Sequence, residues 1–524
     1  MNILGIGGIQ GDAATALLHA GRLVAAMEEV KIARRAKRGE LPAESIAACL
    51  QIAGLQADQI EMVAIVRPLP PATVPVLNLA LRSRFPNAQL VFVEHHRAHA
   101  ASAFYASPFE DATVLSLDRY GDLRCGARWH GQGDRLTLDN ELYFPDSLGD
   151  LYSRVTELLG FIANADEHKT QWLSAQGDHR FVPLFRDILR PGRSGMPGID
   201  RTYFDAGHIT RGGFSQKFRD ALGAAPTELT DALKPHIAAG LQRAIEDVVI
   251  ALAGDARNLC LAGGLAFNAM LVAALERQPQ FEGVFVQPAA GNSGTALGAV
   301  LHAWHAVCHQ SARIAIGDYC LGPEYDPEQI KQVLENCKLR FRFVLTSDEV
   351  VETAVARLSE NKIVAWMQGR MEFGPRALGN RSLLASPLDP YSTENLNVFI
   401  KRREGFRKFA ASVPAEIAHE YFEVGPNARF LASMGRVRPA HAKQFEAAVL
   451  GSDLIRVHAV QREDNPLYWR LLHEAGKRTG LPVVYNTSFN LFGEPLVCSP
   501  RDAVRSFYSS GIDSMLVGNF LLDK

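Results

Sequence analysis

The chain has 524 residues, 47% hydrophobic and 21% charged, with 55 basic against 57 acidic side chains and a net charge of −2. That length exceeds one ordinary domain and predicts two or three; the balanced charge excludes a generic nucleic-acid or anionic-membrane binder while leaving room for a local basic pocket. No apolar run approaches the roughly 20 residues of a membrane helix, the opening Met1-Asn2-Ile3-Leu4-Gly5-Ile6-Gly7-Gly8 lacks the basic lead and cleavage site of a signal peptide, and seven cysteines without any CxxC fit a reducing cytoplasm rather than a disulfide framework or a thiolate zinc site.

In chain order, the start reads as strand, turn, strand, turn, strand over Ile3–Gly8, Ala14–Leu18 and Leu23–Met27. A helical pattern over Ala43–Ala53 is closed by Gly54. Ile60–Val66 and Leu90–Val93 read as buried strands, with a helix near Val76–Arg84 between them. Next comes Glu94-His95-His96-Arg97-Ala98-His99. If this segment opens a helix, His95 and His99 lie one turn apart on one face, a spacing that suits two imidazoles on one metal. The competing reading is a helix-capping cluster with solvated histidines. The strand theme then returns. Thr113–Leu117 runs into Asp118, which could add a carboxylate to the histidines, and Arg124–His130 and Arg135–Leu142 complete a second three-stranded meander. Two such openings about 110 residues apart suggest an internal duplication and predict an α/β chain with a duplicated actin-like (ribonuclease-H-like) N-terminal domain, a nucleotide or metal lying between its halves.

Helical sequence fills Leu148–Phe161 and Leu233–Ala253. Leu259–Leu261 enters Ala262-Gly263-Gly264, and Val284–Gln287 enters a loop holding Gly291, Asn292 and Gly294. Both are strand-to-glycine-to-helix junctions, which either present backbone N–H groups to an anion or nucleotide or are tight turns. The character changes near Leu339–Thr346, so the boundary is drawn at 345: residues 1–344 form the actin-like domain and 345–524 a mixed α/β domain. A helix over Glu349–Glu360 and a strand over Ile363–Met367 lead into the densest motif, Gly369-Arg370-Met371-Glu372-Phe373-Gly374-Pro375-Arg376-Ala377-Leu378-Gly379-Asn380-Arg381-Ser382. Its arginines are permanently charged planar forks suited to phosphate and carboxylate, and its glycines permit positive φ or close backbone approach. With Lys401-Arg402-Arg403-Glu404-Gly405-Phe406-Arg407-Lys408-Phe409 and Tyr485-Asn486-Thr487-Ser488-Phe489-Asn490, the region reads as a polyanion site.

On these residues, together with Phe144-Pro145-Asp146-Ser147-Leu148-Gly149, Gly263–Asn268 and Gly493-Glu494-Pro495, the chain resembles, over nearly its whole length, the ATP-dependent O-carbamoyltransferases of antibiotic biosynthesis and nodulation-factor decoration. The resemblance implies an N-terminal domain similar to the tRNA threonylcarbamoyl-transfer protein and a C-terminal domain similar to threonylcarbamoyl-adenylate synthases. It implies ATP, with Mg(II), and carbamoyl phosphate meeting in the C-terminal domain to form a carbamoyl adenylate. There Arg376, Lys401, Arg403 and Arg407 would neutralise phosphates, and Ser488 and Asn490 would orient phosphate or adenylate. Gly263, Gly264 and Asn268 would hold adenosine, with Gly291, Gly294, Lys169, Arg370, Arg381, Asn486 and Thr487 completing the binding set. A metal, Fe(II) by the resemblance, would sit on His95, His99, Asp118 and the residue at 292.

Three positions depart from the family. Gly11 stands where a histidine usually precedes Asp12, Asn292 replaces an aspartate ligand, and Arg119 follows Asp118 where glycine is preferred. These departures are compatible with an unusual acceptor, with a different base such as His96, or with a partly disabled transfer site. The expected acceptor is a hydroxyl of a small secondary metabolite. An amine or other nucleophile, or a site on tRNA or DNA, is the alternative. Neither a membrane nor a nucleic acid is the expected partner, and self-association into a homo-oligomer is left open.

Overall fold

The computed structural model describes all residues except 36–37, 193–194, 206–209, 224–228 and 315. Its N-terminal part holds two five-stranded sheets. The first is built from β1 (Asn2–Gly7), β2 (Ala14–His19), β3 (Arg22–Glu28), β4 (Met62–Val66) and β5 (Gln89–Val93), in the order β3-β2-β1-β4-β5. The second uses β6 (Asp111–Gly121), β7 (Arg124–Gln132) and β8 (Arg135–Tyr143). After a small hairpin of β9 (Leu189–Pro191) and β10 (Pro197–Ile199), it is completed by β11 (Asn258–Ala262) and β12 (Gly283–Val286), in the order β12-β11-β6-β7-β8. In each sheet the meander is antiparallel, and the first strand of the meander pairs in parallel with the fourth. Order and sense are the same, so the duplication expected from the repeated strand pattern is present as a ribonuclease-H-like pair.

Period-2 patterning decides which side chains face which core. In β4, Val63 and Ile65 enter the outer core beneath the Ala43–Ala53 helix, while Met62, Ala64 and Val66 enter the core between the two sheets. That shared core is filled by two helices exchanged between the repeats. His95–Phe104 follows β5 and packs on β6, and Gly294–His302 follows β12 and packs on β1. The helices touch closely enough that a Cβ on Gly298 would lie 1.8 Å from the Ala98 carbonyl oxygen, which only glycine permits.

The C-terminal part is a ten-stranded mixed sheet. At its centre Val364–Met367, Arg381–Ala385, Val484–Ser488, Ala410–Pro414 and Leu454–Val460 lie side by side. Packing corrects the boundary drawn at 345. The short strand Arg342–Phe343 pairs with Phe520–Asp523 at the edge of this sheet, and the helix Pro327–Asn336 buries Ile330 and Leu334 in its core. The C-terminal unit therefore begins before Pro327. That helix carries its own capping box from Asp326 and Gln329, and nothing local in its pattern says which core it covers. Among the described residues no helix is long and apolar enough to cross a membrane.

Candidate functional site

The first cluster lies where the exchanged helix His95–Phe104 meets β6. Glu94 caps that helix, its carboxylate accepting from the amides of His96 at 2.9 Å and Arg97 at 2.8 Å, which fixes where the first turn begins. His95 and His99 consequently project from one face. Their Nε2 atoms lie 3.1 Å apart, and Asp118 Oδ2 is 2.9 Å from the first and 3.3 Å from the second. The three ligand atoms lie within 4.8 Å of one another. Burial would raise the Asp118 carboxyl, but hydrogen bonds from His95 and His99 hold it well below its usual range; burial and the neighbouring His95 lower His99. Two buried imidazole nitrogens facing each other and one ionised carboxylate form a donor set for a divalent transition metal. Asn292 Oδ1 is a buried acceptor without a hydrogen-bond partner among the described residues. It sits just before the helix Gly294–His302, which packs on the histidine helix. The residues fit a metal.

His96 does not serve this cluster. It is fully buried, its Nδ1 engaged by Ser116 Oγ at 3.2 Å and its Nε2 by the Arg124 carbonyl at 3.0 Å. A lone pair already committed in this way abstracts no proton, so the base role expected for it is corrected to a structural one. Arg119 is pinned to Asp150 at 2.9 Å. The residue beside Gly11, Asp12, is the group sequence reasoning passed over. Burial and the nearby Asp118 raise its carboxyl, against Arg38.

The glycine loops behave differently from one another. Gly263 (φ 96°) lies so close to β6 that a Cβ would sit 2.1 Å from the Leu117 carbonyl, and the Gly264 amide donates to Asp118 Oδ1 at 3.3 Å. This loop helps hold the metal-type cluster. Gly291 and Gly294 are buried at the start of the helix Gly294–His302, against the Phe267 ring and the Ala289 carbonyl. Asn268, expected to hold adenosine, is committed elsewhere. Its Oδ1 caps the helix Ala269–Glu276 through the Leu271 amide at 3.0 Å, and its Nδ2 donates to Gln242 Oε1 at 2.7 Å.

The arginine-rich loop is organised by an acid. Buried Glu372 accepts through Oε1 from the amides of Leu378 (2.8 Å), Asn380 (2.9 Å) and Arg381 (3.0 Å). The loop is fastened to the N-terminal domain by Lys31, which donates to the carbonyls of Glu372 and Gly374 and pairs with Glu28 at 2.9 Å, while Glu28 accepts from the Gly374 amide. Two of its three arginines are not ligand residues. Arg370 donates to the carbonyls of Val24, Leu321 and Gly322, and fully buried Arg381 donates to those of Gln368, Gly369, Asn380 and Pro323. Both expectations of cofactor binding are corrected, since the terminal nitrogens of Arg381 and two of the three nitrogens of Arg370 are engaged by backbone carbonyls. Glu372→Ala would leave three buried amides unpaired and is expected to destabilise the protein by roughly 3–5 kcal/mol. Denaturant unfolding checks this, and an unchanged midpoint would contradict it.

Among the described residues Arg376 has no such partner. It joins Arg403, Arg407, Lys401 and Arg456 in a cation cluster. Among the described residues the carboxylate within ion-pair distance of these five is Glu404, 3.8 Å from Arg407 and shared with Lys169 at 2.7 Å. Burial and then Arg407 bring Arg376 down to about 10 and Arg403 to about 9. Burial, Arg376 and Arg407 lower Arg456 well below its range, and burial, Arg403 and Arg407 do the same to Lys401. Lys401 Nζ donates to the carbonyls of Ser488 and Asn490 and, at 2.7 Å, to Asn490 Oδ1; Ser488 Oγ donates to the same oxygen. Asn486 Nδ2 donates to the Ala377 carbonyl at 3.0 Å, tying this strand to the loop that carries Arg376, while Thr487 pairs with Leu383 across the sheet. Arg456 was not singled out from the sequence, where it stands alone in an ordinary strand. It is buried, its Nε is unpartnered and its guanidinium lies 5.3 Å from the Trp172 ring centroid. Trp172 and Lys169 belong to the N-terminal helix Glu167–Ser174, so the cluster is closed by the other domain.

Known proteins accord with this two-part layout. Residues 72–301 match the family model described as the carbamoyltransferase N-terminus, and 355–524 the one described as the carbamoyltransferase C-terminus. An uncharacterized protein of Synechocystis sp. is 33% identical over 100% of this chain and 97% of its own length. Nodulation protein NolNO of Sinorhizobium fredii is 32% identical over 98% of this chain and 79% of its own. The 3'-hydroxymethylcephem-O-carbamoyltransferase of Amycolatopsis lactamdurans is 31% identical over 50% of this chain and 48% of its own. With both halves matched and near-full-length relatives above the 30% level, the chain belongs to the carbamoyltransferase family.

Proposed function

We propose that this transferase uses ATP to convert carbamoyl phosphate into a carbamoyl adenylate in its C-terminal domain and delivers the carbamoyl group to a hydroxyl of a small natural product at the N-terminal cluster. The observation that carries the reading is the cluster of four arginines and a lysine for which, among the described residues, one shared carboxylate lies within ion-pair distance. Such a cluster repels itself, and its energetic logic is an anionic ligand of high charge. In balanced form, carbamoyl phosphate yields its phosphate to water, a carbamate oxygen attacks the α-phosphorus of ATP, and pyrophosphate leaves. The acceptor oxygen then attacks the carbamoyl carbon, and AMP leaves. Arg376, Arg403, Arg407 and Arg456 would bind phosphate oxygens. Lys401, held by the end of the Val484–Ser488 strand, would have its ammonium form, disfavoured by burial and the neighbouring arginines, restored by the negative charge of bound phosphate. Stabilisation of this kind is electrostatic and preorganised. A divalent metal on His95, His99, Asp118 and Asn292, with Fe(II) our choice, would act as a Lewis acid toward the carbamoyl carbonyl or the acceptor; Mg(II) would accompany ATP.

The reading is tested by incubating the protein with ATP and carbamoyl phosphate and no acceptor. Pyrophosphate release should depend on carbamoyl phosphate, and release indifferent to it would remove the activation step. Transfer to an amine is a second reading. It is favoured by Gly11 and by the engagement of both His96 nitrogens, because a better nucleophile needs less base assistance. Mass spectrometry of carbamoylated hydroxyl and amine acceptors separates the two.

A further inference from the structure

The arginine cluster is walled on one side by a histidine from the other domain. His168 lies on the helix Glu167–Ser174, one turn before Trp172, the residue that covers Arg456, so both lie on one face of the helix. The neighbouring Lys169 reaches Glu404 at 2.7 Å, and Phe161 meets Phe406 ring to edge at 6.3 Å, seating this helix against the loop that carries Arg403 and Arg407. His168 Nδ1 is 3.1 Å from the Ala165 carbonyl oxygen. A carbonyl only accepts, so Nδ1 carries the proton. Nε2 is then a bare acceptor, and it is buried and, among the described residues, unpartnered. Burial, Arg407 and Arg376 lower the imidazole to about 4, with Lys169 acting in the same direction and Asp166 against it. Near pH 7 the ring is therefore neutral.

A buried lone pair among cations is of no use to a phosphate oxygen, which would be repelled by it. It is suited to a ligand that combines anionic oxygens for the arginines with an N–H donor for the histidine. Resting on the activation reading above, we propose that His168 Nε2 accepts a hydrogen bond from the carbamoyl –NH₂ and so selects carbamoyl phosphate over acyl phosphates that carry a methyl group there. His168 would be a specificity residue contributed by the transfer domain to the activation site. A site that hydrogen-bonds a substrate N–H leaves its own acceptor unpaired when the analogue lacks one.

The test compares carbamoyl phosphate, as substrate for pyrophosphate release, with acetyl phosphate, as substrate and as competitive inhibitor. In the wild type, carbamoyl phosphate should be preferred. His168→Phe should lower kcat/KM for carbamoyl phosphate roughly 10- to 100-fold, the loss of about one buried hydrogen bond, while the inhibition constant of acetyl phosphate moves less than about threefold. That second constant also reports that the variant's anion site is intact. His168→Gln, whose amide oxygen can accept, should recover part of the preference. Equal losses for both compounds, or an unchanged preference, would overturn the assignment. A wild-type protein that releases no carbamoyl-phosphate-dependent pyrophosphate would instead sink the activation reading on which it rests.

Discussion

Arg376→Ala is expected to lower carbamoyl-phosphate-dependent pyrophosphate release about 10²–10³-fold, the usual consequence of removing one preorganised charge from a phosphoryl-transfer site. Its stability should stay level or rise, because the substitution removes a cation repelled by Arg407 and Arg456 and breaks no protein hydrogen bond among the described residues. Arg381→Ala, five residues on, should do the reverse. It removes a donor from four backbone carbonyls in a fully buried setting and should cost roughly 2–4 kcal/mol of stability, with any loss of turnover following loss of fold. Paired thermal melts and pyrophosphate assays distinguish the two. Wild-type turnover in folded Arg376→Ala would remove that arginine from the site, and a well-folded, inactive Arg381→Ala would return Arg381 to it.

His95→Ala and His99→Ala are expected to abolish metal binding and carbamoyl transfer while leaving pyrophosphate release within about threefold of wild type. Each removes one of three converging ligand atoms, and the cation cluster is built from residues outside the histidine helix. Elemental analysis of the purified variants decides it, and an unchanged metal content would sink the ligand assignment. In the same assay Asn292→Asp should retain more metal after dialysis, since a carboxylate adds a negative charge where an amide oxygen now stands unpaired. If Asn292 is only a turn residue, its replacement changes nothing.

The N-terminal and C-terminal domains also meet physically. The loop carrying Arg376 is fastened by Lys31 and Glu28 of the N-terminal domain, and Lys169 and Trp172 reach the other way. If the proposed carbamoyl adenylate forms, such a junction would exclude water and protect it on its way to the acceptor.

How much of this was written in the chain depends on range. The sequence by itself determined the duplicated strand pattern, because period-2 alternation and turn residues act over a few residues. It also determined the His95–His99 pair, because one helical turn and one capping glutamate place both rings. Asp118 was legible as the residue ending a repeated strand. The chain alone did not separate Arg376 from Arg370 and Arg381: all three have the same chemistry and similar neighbours, and only the fold decides which guanidinium finds carbonyls and which finds other cations. Nor did it reveal Arg456 or His168, single residues in unremarkable segments far from the motif they join, or show that both nitrogens of His96 are spent inside the sheet. The domain edge moved for the same reason, since an amphipathic helix states that it has a buried face but not which core that face meets. Local geometry follows from nearest neighbours along the chain. The division of like residues into structural and ligand-binding ones is set by desolvation and long-range packing, which exist only once the two domains have closed on each other.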